Sequence, residues 1–426
     1  MTVRYSELFA VFGRIGVLSF GGPAAQISLM QTELVDKRGW LSDSQFLQAL
    51  SFCMLLPGPE AMQLATYAGW RLRGTWGGLL AGLLFVLPGA AVILALAFGY
   101  AYFGQLPLVQ TLFAGVKAAV VAIVFQALLK LAQRALTGWL PRLLAGLSFV
   151  AIFFFGVPFP VIIALAALTG MLLSSPAESP DPAPETPPVQ FTKTLRVATI
   201  WALIWAAPIV LVWMLNAQLL LDLALFFSKL AIVTFGGAYA VLAYMTQEIV
   251  QDYGWLSTTQ MIDALGLAET TPGPLILVTQ FAGFMTGFLQ GGPGLALAAA
   301  AITLWVTFVP CFLWIFTAAP YVEALLSRSR LRGAFDAISA SVAGVILNLA
   351  VWFTLNVLFS GLSQSQGAPD LSAGAFMPVH AGLIALAFVV FLSWKPPILA
   401  GLATMAAVAG ILGSVFPGVM ALTLSF

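Results

Sequence analysis

The chain runs to 426 residues, 61% hydrophobic and 8% charged, with a formal net charge of +1. Soluble domains carry about 25% charged residues, and ~20 apolar residues suffice to cross a bilayer, so stretches such as 77–103 mark a polytopic membrane protein with no basic face for nucleic acid. Cys53 and Cys311 stand alone inside apolar segments, which argues against a disulfide framework or a metal cluster.

Residues 1–12 carry Arg4 and Glu7 and no small-residue cleavage pattern, so no cleaved signal peptide is expected. The first helices are short and interrupted, with breaks predicted at Gly21-Gly22-Pro23 and at Pro57-Gly58-Pro59. Residues 42–56 make ~22 Å of helix and 60–72 ~20 Å, short of a ~30 Å hydrocarbon core. Basic residues flank both, Lys37-Arg38 before and Arg71 and Arg73 after. The pair reads as a helical hairpin that enters from one face, breaks at the prolines and returns; two tilted full spans are the other reading. Four full spans follow, at about 77–103, 107–135, 140–156 and 158–174. Residues 174–193 hold six prolines and three acids and read as a disordered linker. One apolar segment, 195–215, then connects to a second half.

The second half repeats the first. Phe20-Gly21-Gly22 recurs as Phe235-Gly236-Gly237, Gly39-Trp40-Leu41-Ser42 as Gly254-Trp255-Leu256-Ser257, and Pro57-Gly58-Pro59 as Pro272-Gly273-Pro274, all at a spacing of 215 (235 − 20). Between Phe12 and Pro59, 18 of 48 positions match their partners. The later spans align at a spacing of 222, as for Pro88 and Pro310, and predict helices at about 294–318, 333–358, 379–394 and 396–415. The domain reading is therefore a first repeat over 1–174, a cytoplasmic linker over 175–193, a connecting transmembrane helix over 194–217 and a second repeat over 218–426.

The connecting span makes the number of crossings between repeats odd, which inverts the second one. Charge agrees. Lys37, Arg38, Arg71, Arg73, Arg134 and Arg142 have no basic counterparts, whereas Arg328, Arg330 and Arg332 face a neutral 104–107. Basic loops lie in the cytoplasm, and both halves obey that rule only in opposite orientations. The N-terminus and linker are then inside and Phe426 outside. The expected fold is an all-α polytopic membrane protein of two inverted-topology repeats with broken or re-entrant helical hairpins.

Duplicated, inverted repeats with broken helices are the architecture of secondary transporters, with substrate held at the repeat interface. Each break starts a new helix whose first N–H groups have no partner within it; with the helix dipole these form an anion site. The candidate binding residues are Gly21, Gly22, Pro23, Pro57, Gly58 and Pro59 with Gly236, Gly237, Pro272, Gly273 and Pro274, four helix starts converging near the midplane. Ala238 replaces Pro23 in the second copy, so the tips are chemically unequal. Arg14 and its partner Lys229 add intramembrane cations, functional by default; a positive-inside anchor is the competing reading for Arg14. Glu60 and Glu269 flank opposite prolines tips without being equivalent, as proton-coupling groups or as carboxylates complementing helix ends. Glu33 and Glu248 match near hairpin ends. Ser42 with Gln45, and Ser257 with Gln260, read as capping boxes. Lys117 is a further intramembrane cation, and His380 reads as solvated near the outer face. The twelve tryptophans cluster near segment ends, as an aromatic belt does.

On these residues, together with Gly115-Val116-Lys117-Ala118-Ala119, the chain resembles the chromate ion transporter family in its long, two-domain form. The resemblance covers both halves. It implies export of chromate across a prokaryotic inner membrane and chromate resistance, with sulfate as a close analogue. No enzyme activity, cofactor or metal is expected: a phosphate-binding GxxxxGKS loop is absent, and one histidine and two cysteines do not equip a reductase. An oxyanion and membrane lipid are the expected partners; a sulfate transporter working in uptake or exchange, an anion channel, and a homodimer all stay open.

Overall fold

Glycine and proline breaks, rather than charged loops, decide where these helices stop. The computed structural model describes residues 3–173, 191–235, 237–322, 329–362 and 374–415. Helix α1 (Tyr5–Leu18) ends at Ser19, and α2 (Gly22–Gln31) restarts with Pro23 in its first turn, where a missing N–H costs nothing. The π turn Thr32–Asp36 prolongs α2. Helix α3 (Asp43–Met54) begins at a reciprocal cap: the Gln45 N–H donates to Ser42 Oγ at 3.2 Å, and the Ser42 N–H to Gln45 Oε1 at 3.2 Å.

Helix α4 (Glu60–Phe103) is long by count but is not one rod. The chain leaves helical geometry at Arg73 and Gly74. Gly69 then packs against the Gly77 backbone and Gly82 against Thr66, so 60–72 folds back along 75–103. That close approach needs residues without side chains on both strands of the hairpin. The predicted split at about residue 73 is therefore a tight reversal.

Next come α5 (Pro107–Ala135), α6 (Trp139–Phe155), α7 (Phe159–Leu173), α8 (Phe191–Met214) and α9 (Gln218–Val233). The predicted linker falls largely on 174–190, outside the described residues, and residues 191–193 open α8. The second half repeats the first element by element. Helix α10 (Ala238–Thr246) ends in the π turn Gln247–Asp252, and α11 (Thr258–Glu269) carries the Ser257–Gln260 cap. After the 3-10 turn Leu275–Leu277, α12 (Val278–Ala318) breaks at Gly291-Gly292, with Gly287 packed on Ala296 and Gly283 on Thr303. Last are α13 (Ser329–Leu358), α14 (Pro378–Phe388) with the π turn Val389–Trp394, and α15 (Ile398–Val415). Among the described residues, a two-stranded ribbon, β1 (Phe359–Ser360) with β2 (Ala375–Phe376), is the one departure from helix in a fold that is otherwise all-α. Among the described residues, six helical segments are long and apolar enough to cross a membrane.

The chain forms two compact units that do not coincide with the repeats. Unit 1 takes Met1–Leu94, Ala167–Val241 and Thr271–Phe335; unit 2 takes Ala95–Ala166, Leu242–Thr270 and Asp336–Phe426. Each thus draws on both halves. In unit 1, α12 lies against α8 and α9, with Trp201 stacked on Phe312 at 5.5 Å between ring centres. In unit 2, α5 packs against α11, α14 and α15, with Gly115 seated on the Met405 backbone and Phe125 edge-on to Phe388. Gly344 of α13 seats in the same way on the Ala145 backbone of α6. The long middle helix of each repeat therefore packs on the closing helices of the other.

Candidate functional site

All four breaks lie in unit 1, and they meet as two pairs, each joining one tip from each repeat. The Gly58 N–H donates to the Thr234 carbonyl at 2.9 Å, and the Gly273 N–H to the Ser19 carbonyl at 2.9 Å. Ser19 and Thr234 are themselves repeat partners (234 − 19 = 215) and immediately precede the two Phe-Gly-Gly breaks. Each returns its hydroxyl to the carbonyl four residues earlier, Ser19 to Ile15 and Thr234 to Leu230, both at 2.6 Å. The expected convergence of four helix starts is thus resolved into two reciprocal cross-repeat contacts. Two of the N–H groups assigned to an anion, those of Gly58 and Gly273, are occupied by these carbonyls.

The geometry requires glycine at both prolines tips. Gly58 has φ +121° and Gly273 φ +84°, conformations that L side chains rarely adopt. A Cβ on Gly58 would also lie 2.8 Å from Gln63 Nε2 and 3.0 Å from Cys311 Sγ. Gly22, at φ +78°, faces open space instead. The second tip, 272–274, is buried, and the first, 57–59, is half-buried.

Two glutamines that sequence reasoning did not single out hold the tips. Gln26, buried in α2, donates from Nε2 to the Gly273 carbonyl at 2.6 Å and to the Ser19 carbonyl at 3.3 Å. Gln63, buried in α4, donates to the Pro57 carbonyl at 2.6 Å. Their repeat partners are Val241 and Val278, which cannot do this. A buried amide in one repeat where the other has valine is the signal that finds them.

The remaining candidates are dispersed. Arg14 and Lys229 are both exposed on their helices, among the exposed apolar side chains Phe9 and Val17, and Leu225 and Ile232, respectively. Glu60 opens α4, half-buried, where a carboxylate complements the helix dipole; Glu269 closes α11, buried, where it does not. Gly236 and Arg328 lie outside the described residues. Cys53 and Cys311 are buried and free. Glu33 is buried and pairs with Lys37 at 2.7 Å and with Arg38. The Lys37 bond, outweighing burial and joined by the Arg38 bond, holds its carboxyl below the usual range.

Unit 2 holds a second polar place. A cavity of about 640 Å³ is lined by Tyr100, Lys117, Gln260, Asp263, Asn356 and His380, among others. Lys117 Nζ lies 3.4 Å from Asp263 Oδ1, and the Tyr100 hydroxyl donates to Asp263 Oδ2 at 2.7 Å. Removing one partner of such a buried pair costs about 3–5 kcal/mol. The solvated reading of His380 is corrected: its ring is buried, 5% exposed, and Nδ1 has no hydrogen-bond partner there. Met377, whose N–H donates to the Leu358 carbonyl, and residues 359–362 line the same cavity as His380, which the sequence position alone does not reveal. Asp263 was missed as well; the available sign is an acid within a buried helix where the first repeat has Gln48.

The family model for chromate transporters matches residues 6–171 and 221–424. The chromate transport protein of Pseudomonas aeruginosa is 32% identical over 356 residues, 81% of this chain and 80% of that protein. The probable chromate transport protein of Synechococcus elongatus is 30% identical over 346 residues, 81% and 83% of the two chains. That of Cupriavidus metallidurans is 29% identical over 350 residues, 82% of each. No solved structure matches. These relatives are transport proteins rather than enzymes, and the apolar helices make this chain a multi-pass membrane protein. The two matched segments together cover most of the chain, and the chain belongs to the chromate transporter family.

Proposed function

We propose that this protein is a secondary transporter that exports chromate, a tetrahedral oxyanion, across a prokaryotic inner membrane by alternating access. The single observation that carries this reading is the reciprocal pair of tip contacts, Gly58 to Thr234 and Gly273 to Ser19. Two equivalent contacts of one hydrogen bond each, joining opposite repeats, can be exchanged as the repeats rock, and each costs only about 0.5–1.5 kcal/mol to open. The anion sits at the helix starts beside them, at Gly21, Gly22 and Pro23, Pro57 to Pro59, and their second-repeat copies, with Arg14 and Lys229 supplying charge. The names of the relatives support chromate as the substrate. A dianion leaving a negative-inside cell gains about twice 2.3 kcal/mol per 100 mV, so the potential alone drives export. Purified protein in proteoliposomes is expected to show saturable chromate flux that sulfate competes for and that an imposed potential accelerates. Flux that does not saturate would identify a channel, and no flux of either anion would overturn the reading.

Inverted topology is part of the same proposal, and packing within each unit supports it. In unit 1, Arg73 donates from Nε to the Val3 carbonyl and lies over the Tyr5 ring, Gly170 packs on Gly333, and Thr194 hydrogen-bonds Tyr321 at 2.5 Å. Every one of these chain ends is expected in the cytoplasm. In unit 2, the cavity is rimmed by 104–105, 257–260 and 360–362, all expected outside. Single cysteines placed in these loops should label from the cytoplasmic side at 71–73 and 328–332 and from the outer side at 284–292. Labelling of 71–73 and 284–292 from one side would end the inverted reading.

A further inference from the structure

We infer that the unit 2 cavity is a second oxyanion site, in which Lys117 is shared between the anion and Asp263, a carboxylate that occupies the lysine whenever the anion is absent. The inference rests on the reading that the chain moves an oxyanion, and adds to it a site with its own charge and its own release step.

Lys117 lies ten residues into α5, about 15 Å along a 29-residue helix at 1.5 Å per residue. That depth is half of a ~30 Å core, where a cation is functional by default. The cavity beside it has room for on the order of twenty waters at ~30 Å³ each, enough for a tetrahedral anion that keeps part of its hydration. Asp263 is anchored asymmetrically. Oδ2 takes the Tyr100 hydroxyl at 2.7 Å, whereas Oδ1 makes no hydrogen bond and only faces Lys117 Nζ at 3.4 Å. A charge-assisted N–H···O bond is closer to 2.7–2.9 Å, so the lysine is held by charge without a tight bond. An oxyanion with two charges competes well for it. Buried His380, with Nδ1 unpartnered, lines the same space and offers a second contact to an anion oxygen.

Once Lys117 turns to the anion, Asp263 is a buried carboxylate without a cation, which is costly. It takes up a proton from bulk solution onto Oδ1, relayed by cavity water that is left neutral. Lys117 stays an ammonium, no covalent bond to the anion forms, and one proton enters per anion bound. Loss of that proton restores the Lys117–Asp263 pair and expels the anion. Tyr100 from α4 and Lys117 from α5 face Asp263, and His380 from α14 lines the same cavity; among the described lining residues of α11, α13 and the ribbon there is no other charged or titratable side chain.

Sulfate is the probe, because it stays a dianion throughout and any pH slope then belongs to the protein. Binding is measured by calorimetry on the purified full chain in detergent, from about pH 5.5 to about pH 8. Wild-type affinity should improve as pH falls, by up to about tenfold per pH unit. Asp263→Asn should bind sulfate tightly at every pH, with the slope gone. Lys117→Gln should lose the pH-dependent binding, at least about tenfold at the acid end. Tyr100→Phe keeps the ion pair but withdraws a hydrogen bond from the carboxylate, so the rise in affinity should move to higher pH. His380→Gln should weaken binding and keep the slope. A slope that survives in Asp263→Asn, or that is absent in wild type whose chromate flux is normal, overturns this inference alone. Full sulfate binding in Lys117→Gln does the same. Wild-type protein that neither binds nor moves an oxyanion overturns both this inference and the transport reading.

Discussion

Valine in place of Gly58 is expected to abolish oxyanion transport while the protein still inserts. Gly58 holds φ +121°, and a positive φ costs an L residue roughly 1–2 kcal/mol. The new side chain also meets Gln63 Nε2 and Cys311 Sγ within 3.0 Å, and such overpacking costs about 1–3 kcal/mol more. The tip relieves this by moving, which pulls its N–H away from the Thr234 carbonyl and breaks one of the two cross-repeat contacts. Gly22→Val tests a different term. Beyond its own chain neighbours and the adjoining helix backbone, no atom stands within 4 Å of the position its Cβ would take, so backbone strain is the main term opposing it in the empty protein. If the open space is where the anion lies, the added methyl groups exclude it and flux falls to background. Chromate flux in proteoliposomes, read beside membrane yield and thermal midpoint, separates lost transport from lost fold. Wild-type flux in both variants would reduce the breaks to plain kinks.

Arg14→Gln and Lys229→Gln are expected to weaken chromate and sulfate binding by roughly 10–150-fold each, the equivalent of losing a charged hydrogen bond of about 1.5–3 kcal/mol. Arg14→Lys should fall between, because guanidinium grips an oxyanion through two parallel N–H groups and ammonium acts as a point charge. Lys229→Arg should be tolerated if the space admits the larger group. Both native side chains are exposed on their helices beside exposed apolar side chains, Phe9 and Val17 for Arg14 and Leu225 and Ile232 for Lys229. In a membrane such a cation either meets water and substrate or draws its head to the interface. An anchor role for Arg14 gives another result: altered orientation, with affinity unchanged in correctly inserted protein. Unchanged affinity in both glutamine variants removes the pair from the site.

Much of the architecture was legible because its signals are local. Apolar runs follow bilayer thickness, and α5 falls at the predicted 107–135. Ser42 and Ser257 cap their helices through groups three residues apart, an interaction wholly contained in the sequence window that predicts it. Gly21-Gly22 and Pro57-Gly58-Pro59 interrupt helices by their own backbone chemistry, and the duplication identifies the second copies. The sequence also marked Lys117 as an intramembrane cation, but not what it faces.

What tertiary structure alone decided is which of these local features meet. Asp263 lies 146 residues from Lys117 (263 − 117) and 163 from Tyr100, and only the packing of α11 on α5 brings the three together. Gln26 reaches Gly273 across 247 residues. The division into two units, each assembled from both repeats, likewise has no trace in composition, since the long helices of both units are apolar alike. His380 reads as solvated from its position beside a segment end, yet packing buries it. By itself, the sequence determined the solvent, the helices, their breaks and the duplication, because each depends on residues close in the chain. The pairing of tips, the cavity and the partners of its charges depended on contacts between distant segments, and in an apolar chain many such pairings satisfy the same local pattern.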